Sequence, residues 1–180
     1  MNIIKQKFLK LKKDGMIDDF LPLMAFVLIV AIILFTFIET NTAINSKADI
    51  NAISRKYTLL LETQGHLTSN DQKSLVNDLN DAGFRANEAG ALLTTSAIRN
   101  KDNFNENANT AQISYSGDSN NSVGYGQPVA LQIKVFTDVK MLSEANIFDP
   151  TIETGYYDES GNYVKKYSPI VVKYHSTSKE

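Results

Sequence analysis

The chain has no cysteine and no tryptophan, and only two histidines and four prolines among its 180 residues. The absence of cysteine excludes disulfide bonds, thiol catalysis and metal sites built on thiolates. The two histidines, His66 and His175, stand far apart in a turn-like stretch and near the C-terminus, at no spacing that suggests a metal site. We therefore predict that both histidines lie at the protein surface.

Sequence motifs typical of enzymes are also missing. There is no phosphate-binding loop, no serine nucleophile elbow and no HExxH motif. Asp118, Asn120 and Asn121 resemble the start of a calcium-binding loop, but the glycine and the distal glutamate are not at the positions that such a loop requires. The sequence therefore predicts a non-enzymatic protein with no cofactor and no metal site.

Charged residues nearly balance over the whole chain, with 18 basic and 20 acidic side chains and a formal net charge of −2. They are not evenly placed, because residues 39–180 carry 13 of the basic and 17 of the acidic groups. An excess of acidic groups in the larger part of the chain argues against a nucleic-acid-binding protein, which would present a basic surface.

Residues 20–38, FLPLMAFVLIVAIILFTFI, form a run of nineteen residues without a charge. As an α-helix this run spans about 29 Å, close to the thickness of the hydrocarbon core of a bilayer. A core helix of a soluble domain would show a polar face, and this run shows none. We therefore predict one transmembrane helix, with the lipid bilayer as its partner.

The distribution of lysines predicts the orientation of this helix. Five lysines precede the apolar run, whereas the first basic residue after it is Lys47. The positive-inside rule then places the N-terminus in the cytoplasm and the C-terminal part outside the cell membrane. A removed secretory signal is the alternative, but the run is longer than a signal's apolar region, and a cut after Ala43 would put Asn41 at a poor position.

The residues directly before the apolar run resemble the processing site of type IV pilin precursors, in which a prepilin-type peptidase cuts after a glycine. A cut after Gly15 would expose the ammonium group of Met16, which requires a neutralising carboxylate when helices pack in hydrocarbon. Asp18 and Asp19 are the candidate carboxylates. The precursor pattern has a glutamate at the fifth position after the cut, where this chain has Phe20. The alternative is that one aspartate only caps the helix.

Two helices are predicted after the membrane. Residues 39–62 contain neither proline nor glycine and repeat apolar residues at helical spacing, which predicts one continuous helix of about 45 residues that ends at Gly65. A second helix begins after Thr68, with Asp71 three residues later as a capping-box partner, and ends at Gly83. We expect the second helix to fold back on the first.

The rest of the chain is β-rich. Residues 84–98 are ambiguous between strand and helix, and residues 100–109 read as a polar loop. Beyond them, alternating patterns and a turn around Gly161 predict strands that form a small antiparallel sheet. The expected fold is therefore α+β and pilin-like, with the sheet packed on the exported helices. The predicted strands lie at residues 112–115, 129–136, 155–157, 163–164 and 169–174.

The predicted organisation has four parts: a leader-like segment 1–15, a transmembrane helix 16–40, an exported helical region 41–99 and a β-rich exported domain 100–180. Five tyrosines of the last part form either an aromatic cross-strand cluster or a surface that contacts a partner. These tyrosines are Tyr156, Tyr157, Tyr163, Tyr167 and Tyr174.

Four short motifs occur in a fixed order: GMID at 15–18, ADIN at 48–51, RKY at 55–57 and LETQGHL at 61–67. Over residues 12–83 the chain resembles the TadE-like pilin proteins of low-GC Gram-positive bacteria, including those encoded beside conjugative-element secretion genes. The resemblance implies a membrane-inserted subunit of a Tad or type IV pilus-like assembly, in contact with sister subunits or with the secretion machinery. The alternative is a permanent single-pass accessory protein whose exported domain recruits a partner.

Overall fold

A computed structural model describes residues 17–117, 122–138, 155–157 and 159–179. These residues form an α+β fold with a long N-terminal helix, a short second helix and a small four-stranded sheet. The chain divides into two compact units, Met1–Asn41 and Thr42–Glu180. The helices are α1 (Ile17–Gln64) and α2 (Ser69–Asp81), and the strands are β1 (Ile98–Asn100), β2 (Gln112–Tyr115), β3 (Pro128–Thr137), β4 (Gly155–Tyr157), β5 (Tyr163–Lys165) and β6 (Ser168–Thr177).

The predicted continuous helix is confirmed, and α1 runs for 48 residues and contributes to both units. It ends at Gly65, whose φ of +67° suits glycine and whose N–H donates to the carbonyl of Leu61 at 2.9 Å. The described part of α1 begins at Ile17 and includes the backbone of Asp18 and Asp19. Because residues 1–16 lie outside the described part of the chain, the capping role of these aspartates stays a prediction.

Helix α2 begins and ends as its sequence predicts. The Thr68 hydroxyl accepts a bond from the N–H of Asp71 at 3.2 Å, and the Asp71 carboxylate accepts one from the N–H of Thr68 at 3.0 Å, so the capping box is complete. At the other end, the N–H of Gly83 donates to Asn80 and that of Phe84 donates to Leu79, both at 3.0 Å. This is a Schellman motif, in which Gly83 has a φ of +88°.

The main sheet has the strand order β1-β2-β3-β6, and β4 and β5 form a separate antiparallel hairpin, as predicted. Strands β2, β3 and β6 are antiparallel, but β1 pairs in parallel with β2, with Ile98 opposite Ile113. The prediction of an antiparallel sheet is thus corrected to a mixed one. A parallel pair needs a long crossover connection, and the polar stretch 101–111 supplies it.

The core lies in the unit Thr42–Glu180, between one face of the sheet and the two helices. Apolar side chains at helical spacing on α1 and α2 meet alternate residues of β2, β3 and β6, as the periodicity predicts. The largest fully buried side chains are Tyr57, Phe84, Phe136, Ile50, Leu61, Leu67, Leu75, Leu79, Ile113, Leu131, Ile133 and Val129.

The other face of β3 is covered by the crossover connection. Lys134 lies on this face, is only 5% exposed, and donates from Nζ to the carbonyl oxygens of Glu106 and Ala108. Its ammonium also lies 5.7 Å from the centre of the Phe136 ring. Burial of Lys134 is thus compensated by hydrogen bonds, and these bonds fasten the crossover against the sheet.

Candidate functional site

The apolar run forms an exposed apolar surface on α1. Every large apolar side chain of residues 20–38 is exposed, from Phe20 at 58% to Ile38 at 61%. Thr36 is the polar exception, and its hydroxyl donates to the carbonyl of Ile32 at 2.8 Å, so its hydrogen bond is satisfied within the helix. Among the described residues, α1 is the one helix with the length and composition to cross a membrane.

The candidate processing residues Gly15 and Met16 lie outside the described residues. The candidate assembly carboxylates, Asp18 and Asp19, are described as part of α1 but their side chains are not. They directly precede the apolar run on the same helix, so a carboxylate at either position lies beside the N-terminal end of the predicted membrane span. Both roles proposed for them, pairing with an ammonium and stabilising the helix end, are compatible with this position.

Helices α1 and α2 are joined by a polar cluster around Asp78. The hydroxyl of Tyr57 donates to Asp78 Oδ2 at 2.8 Å and Lys56 Nζ donates to the same oxygen at 2.7 Å. Burial, followed by the hydrogen bond to Asp78, raises the pKa of the Tyr57 hydroxyl. Burial also acts to raise the pKa of Asp78, but the bonds from Lys56 and Tyr57 outweigh it and lower that pKa. The Tyr57 hydroxyl therefore stays neutral and donates a hydrogen bond, and the cluster holds α1 and α2 together.

The end of the chain is fastened to the end of α1 through Glu62. Its carboxylate accepts bonds from Ser176 Oγ at 2.5 Å and from Lys179 Nζ at 2.7 Å, and its backbone carbonyl accepts the N–H of Lys179 at 2.6 Å. The bonds from Lys179 and then Ser176 lower the pKa of the Glu62 carboxyl, although burial opposes them. Because the ionised carboxylate is the form that these donors stabilise, this contact depends on pH.

We expect Glu62→Gln to lower the unfolding free energy of a fragment of residues 42–180 by about 1–3 kcal/mol at pH 7. The folded pKa lies below the ordinary value of 4.5, so the contribution is complete above about pH 5 and is lost as the pH falls through the folded pKa. Urea unfolding at several pH values measures it. Wild type should lose stability in acid more steeply than Glu62→Gln, whereas the exposed control Glu88→Gln should follow wild type. Equal acid slopes for wild type and Glu62→Gln would contradict the assignment.

Strand β6 is a ten-residue strand at the edge of the sheet. Phe136 of β3 exchanges both backbone bonds with Arg85, so its N–H and C=O point away from Pro169, the residue opposite it on β6. Because these directions alternate along an antiparallel pair, odd-numbered residues of β6 direct their backbone groups outward. These residues are Pro169, Val171, Lys173, His175 and Thr177, and their side chains are exposed.

No residue in the described part of the chain bonds to the outer backbone groups of β6, and the N–H groups of Val171, Lys173, His175 and Thr177 are therefore available there. Such an edge is a template for an added strand. Lys173 is the charged residue at its centre, and its ammonium pairs with the carboxylate of Glu106. The outer edge of β6 is thus a second surface suited to contact with a partner.

The remaining sequence predictions have mixed outcomes. His175 is exposed and His66 is half-buried, with its Nδ1 2.8 Å from the carbonyl oxygen of Gln64.

Among the residues with described side chains, Tyr167 packs against Gly90 and Tyr174 donates to Asn51 at 3.1 Å, so these two tyrosines do not form one cluster. Asp118, Asn120 and Asn121 lie outside the described residues, and no metal-binding group of acidic residues and histidines occurs within them.

Lys134 and Glu62 are the structural residues that the sequence patterns missed. The position of Lys134 in the middle of an apolar strand could have indicated that its side chain is buried, but a charge at that position also fits a strand face exposed to solvent.

No family model, no curated protein and no solved structure matches this chain.

Proposed function

We propose that this protein is a non-enzymatic, TadE-like pilin subunit, anchored by its N-terminal helix and drawn into a Tad or type IV pilus-like secretion or conjugation assembly. The observation that carries the proposal is the apolar run 20–38 on α1, whose large apolar side chains are all exposed, directly preceded by the Gly15 to Asp19 segment. In this proposal the helix spans the cell membrane with its N-terminus in the cytoplasm, and residues 42–180 form a compact extracytoplasmic unit.

The mechanism follows from the energetics of helices in lipid. Two apolar helices gain little by packing together in hydrocarbon, because lipid tails are as apolar as the side chains. Charge pairing supplies the missing specificity, since an ammonium in hydrocarbon strongly favours a carboxylate partner. After processing at Gly15, the ammonium of Met16 on one subunit pairs with Asp18 or Asp19 of its neighbour. Assembly thus depends on both the cut and the acidic pair.

Replacing both Asp18 and Asp19 with alanine should leave the protein in the membrane but abolish its co-purification with sister subunits and with the pilus or secretion machinery. The matched control is Asp49→Ala with Asp81→Ala, which removes two exposed carboxylates of the other unit and should assemble normally. N-terminal sequencing of the protein from its native membrane should start at Met16. Unchanged co-purification of the double mutant, together with an uncut N-terminus, would refute the pilin mechanism.

A second candidate function is that of a permanent accessory protein whose exported unit recruits a partner. The observation that favours it is the outer edge of β6, which offers a row of backbone donors and acceptors for a partner's strand. This function requires neither cleavage at Gly15 nor the acidic pair. The two functions therefore use different units of the chain, and they are separable by mutation.

We expect Val171→Pro to separate them, because proline removes an outward N–H of β6 while leaving the bonds to β3 in place. The folded unit should keep its stability to within about 1 kcal/mol, and a strand-adding partner should be lost from co-purification. Val172→Pro is the control, since it removes an inward N–H and should destabilise the unit by about 2 kcal/mol or more. Retention of the partner by a folded Val171→Pro variant would exclude the outer edge of β6 as its binding site.

A further inference from the structure

An open cleft of about 630 Å³ lies where β1 and β2 end. These two strands are parallel, so their carboxyl ends meet at the same end of the sheet, and the segments that follow both strands form the walls. One wall carries Arg99, Asn100, Lys101 and Asp102, and the other includes Tyr115 and residues 116–117. None of these residues has a role in the proposed function.

The charges of the described residues that line the cleft leave one unit of positive charge. Arg99 and Lys101 supply two cations and Asp102 one carboxylate, and all three side chains are exposed. The side chains of Arg99 and Lys101 make no ion pair and no hydrogen bond in the part of the chain that the structure describes. By contrast, Lys56, Lys173 and Lys179 are engaged with carboxylates elsewhere on the same unit. The cleft therefore has cationic groups available for one monoanion.

Hydrogen-bonding groups surround these cations. Asn100 is exposed and presents an amide, and Ser122 is exposed and presents a hydroxyl. Ser116 Oγ accepts the N–H of Ala130 at 2.9 Å, which leaves its own O–H as a donor. The Tyr115 hydroxyl is held by Gln72 Nε2 at 2.5 Å, so the position of its ring is defined. Groups of this kind recognise hydroxyls beside a charged centre.

Two residues that line the cleft, Gly117 and Val123, are held against the end of α1. Gly117 approaches Gly65 so closely that no side chain fits between them, and the N–H of Val123 donates to the carbonyl of Gly65 at 2.9 Å. These contacts tie the segment after β2 to the end of α1. A site held in this way loses little conformational entropy when a ligand binds.

We propose that this cleft binds a phosphodiester flanked by hydroxyl groups, of the glycerol phosphate type. A phosphodiester carries one negative charge, which matches the net charge of the described residues that line the cleft, and its two terminal oxygens suit the guanidinium fork of Arg99 together with the ammonium of Lys101. The adjacent hydroxyls meet Asn100 and Ser122. This chemistry occurs in a lipid headgroup and in a soluble glycerol phosphate chain, and the site is independent of both functions proposed above.

The test uses the full chain in neutral detergent, titrated with glycerophosphoglycerol and followed by calorimetry or by NMR. We expect saturable binding that weakens at higher salt concentration. Arg99→Gln with Lys101→Gln should weaken binding at least tenfold, whereas the control Lys47→Gln with Lys73→Gln, which removes two exposed lysines elsewhere, should bind like wild type. Asp102→Asn should tighten binding about fivefold, because it removes a negative charge beside Arg99 and Lys101.

The source of the ligand is distinguished by titrating the full chain in neutral detergent with short-chain phosphatidylglycerol, with short-chain phosphatidylcholine as the neutral control. Lipid binding that requires Arg99 and Lys101 assigns a lipid headgroup, and binding of glycerophosphoglycerol without binding of the lipid assigns a soluble chain. The proposal is overturned if neither probe binds, if the Arg99 and Lys101 variant binds both probes like wild type, or if Asp102→Asn weakens binding.

Discussion

Replacing Gly117 with alanine is expected to lower the unfolding free energy of a fragment of residues 42–180 by about 3 kcal/mol or more. Two causes add. Gly117 has a φ of +76°, a conformation that costs an alanine about 1 kcal/mol. The new Cβ would also overlap the carbonyl oxygen of Gly65, which is backbone and has no flexible end that can move aside. The end of α1 and the segment after β2 must then separate, and the bond from Val123 to Gly65 is lost with them.

Gly126→Ala is the matched control for this prediction. Gly126 has the same φ of +76°, but no atom lies within 4 Å of the position that a Cβ would occupy. Its substitution should therefore cost only the conformational term, about 1 kcal/mol. Urea unfolding of both variants gives the difference between their unfolding free energies. This difference is the contribution of the close approach between the backbones of Gly117 and Gly65. Equal losses in the two variants would show that this approach does not contribute to stability.

Phe84→Ala is expected to destabilise the same fragment by about 3–5 kcal/mol, the range for removing a buried aromatic side chain. Phe84 is 1% exposed and belongs to the core shared by the helices and the sheet. It is also the residue after Gly83 in the Schellman motif, where an apolar contact with the last turn of the helix supports the helix end. Its loss should thus leave a cavity and weaken the end of α2 at once.

Leu92→Ala is the control for Phe84, because Leu92 is apolar and near it in sequence but 59% exposed. That substitution should change the unfolding free energy by no more than about 0.5 kcal/mol. Urea unfolding followed by circular dichroism compares the two variants with wild type. A loss below 1 kcal/mol for Phe84→Ala would mean that the core repacks around the missing ring, against the dense packing expected of it.

The proposed pilin function and the accessory function lead to different experiments because they depend on different parts of the molecule. The first depends on the helix that carries residues 20–38 and on the acidic pair before it. The second depends on the outer edge of β6 in the unit Thr42–Glu180. The variant with Asp18→Ala and Asp19→Ala could lose assembly but still bind a partner at β6. That result would show that this protein uses both surfaces, since the two substitutions do not alter the unit that contains β6.

The sequence by itself determined the features that depend on neighbouring residues. The start of α2 follows from Thr68 and Asp71, and its end follows from Gly83, because capping bonds join residues only three to five positions apart. The same holds for the end of α1 at Gly65 and for the β4–β5 hairpin. The apolar run 20–38 needs no tertiary contact to be recognised, since length and composition alone define it.

Only the tertiary structure decided which distant segments pair. Local sequence patterns do not specify the parallel alignment of β1 with β2, the burial of Lys134 under the crossover, or the contact of Glu62 with Lys179, which are 117 positions apart. Each depends on which of many possible long-range contacts is the most stable. For a buried polar group, that stability depends on hydrogen bonds that offset the cost of removing the group from water. For that reason the sequence predicted a sheet but not its parallel strand, and predicted charged residues without their partners.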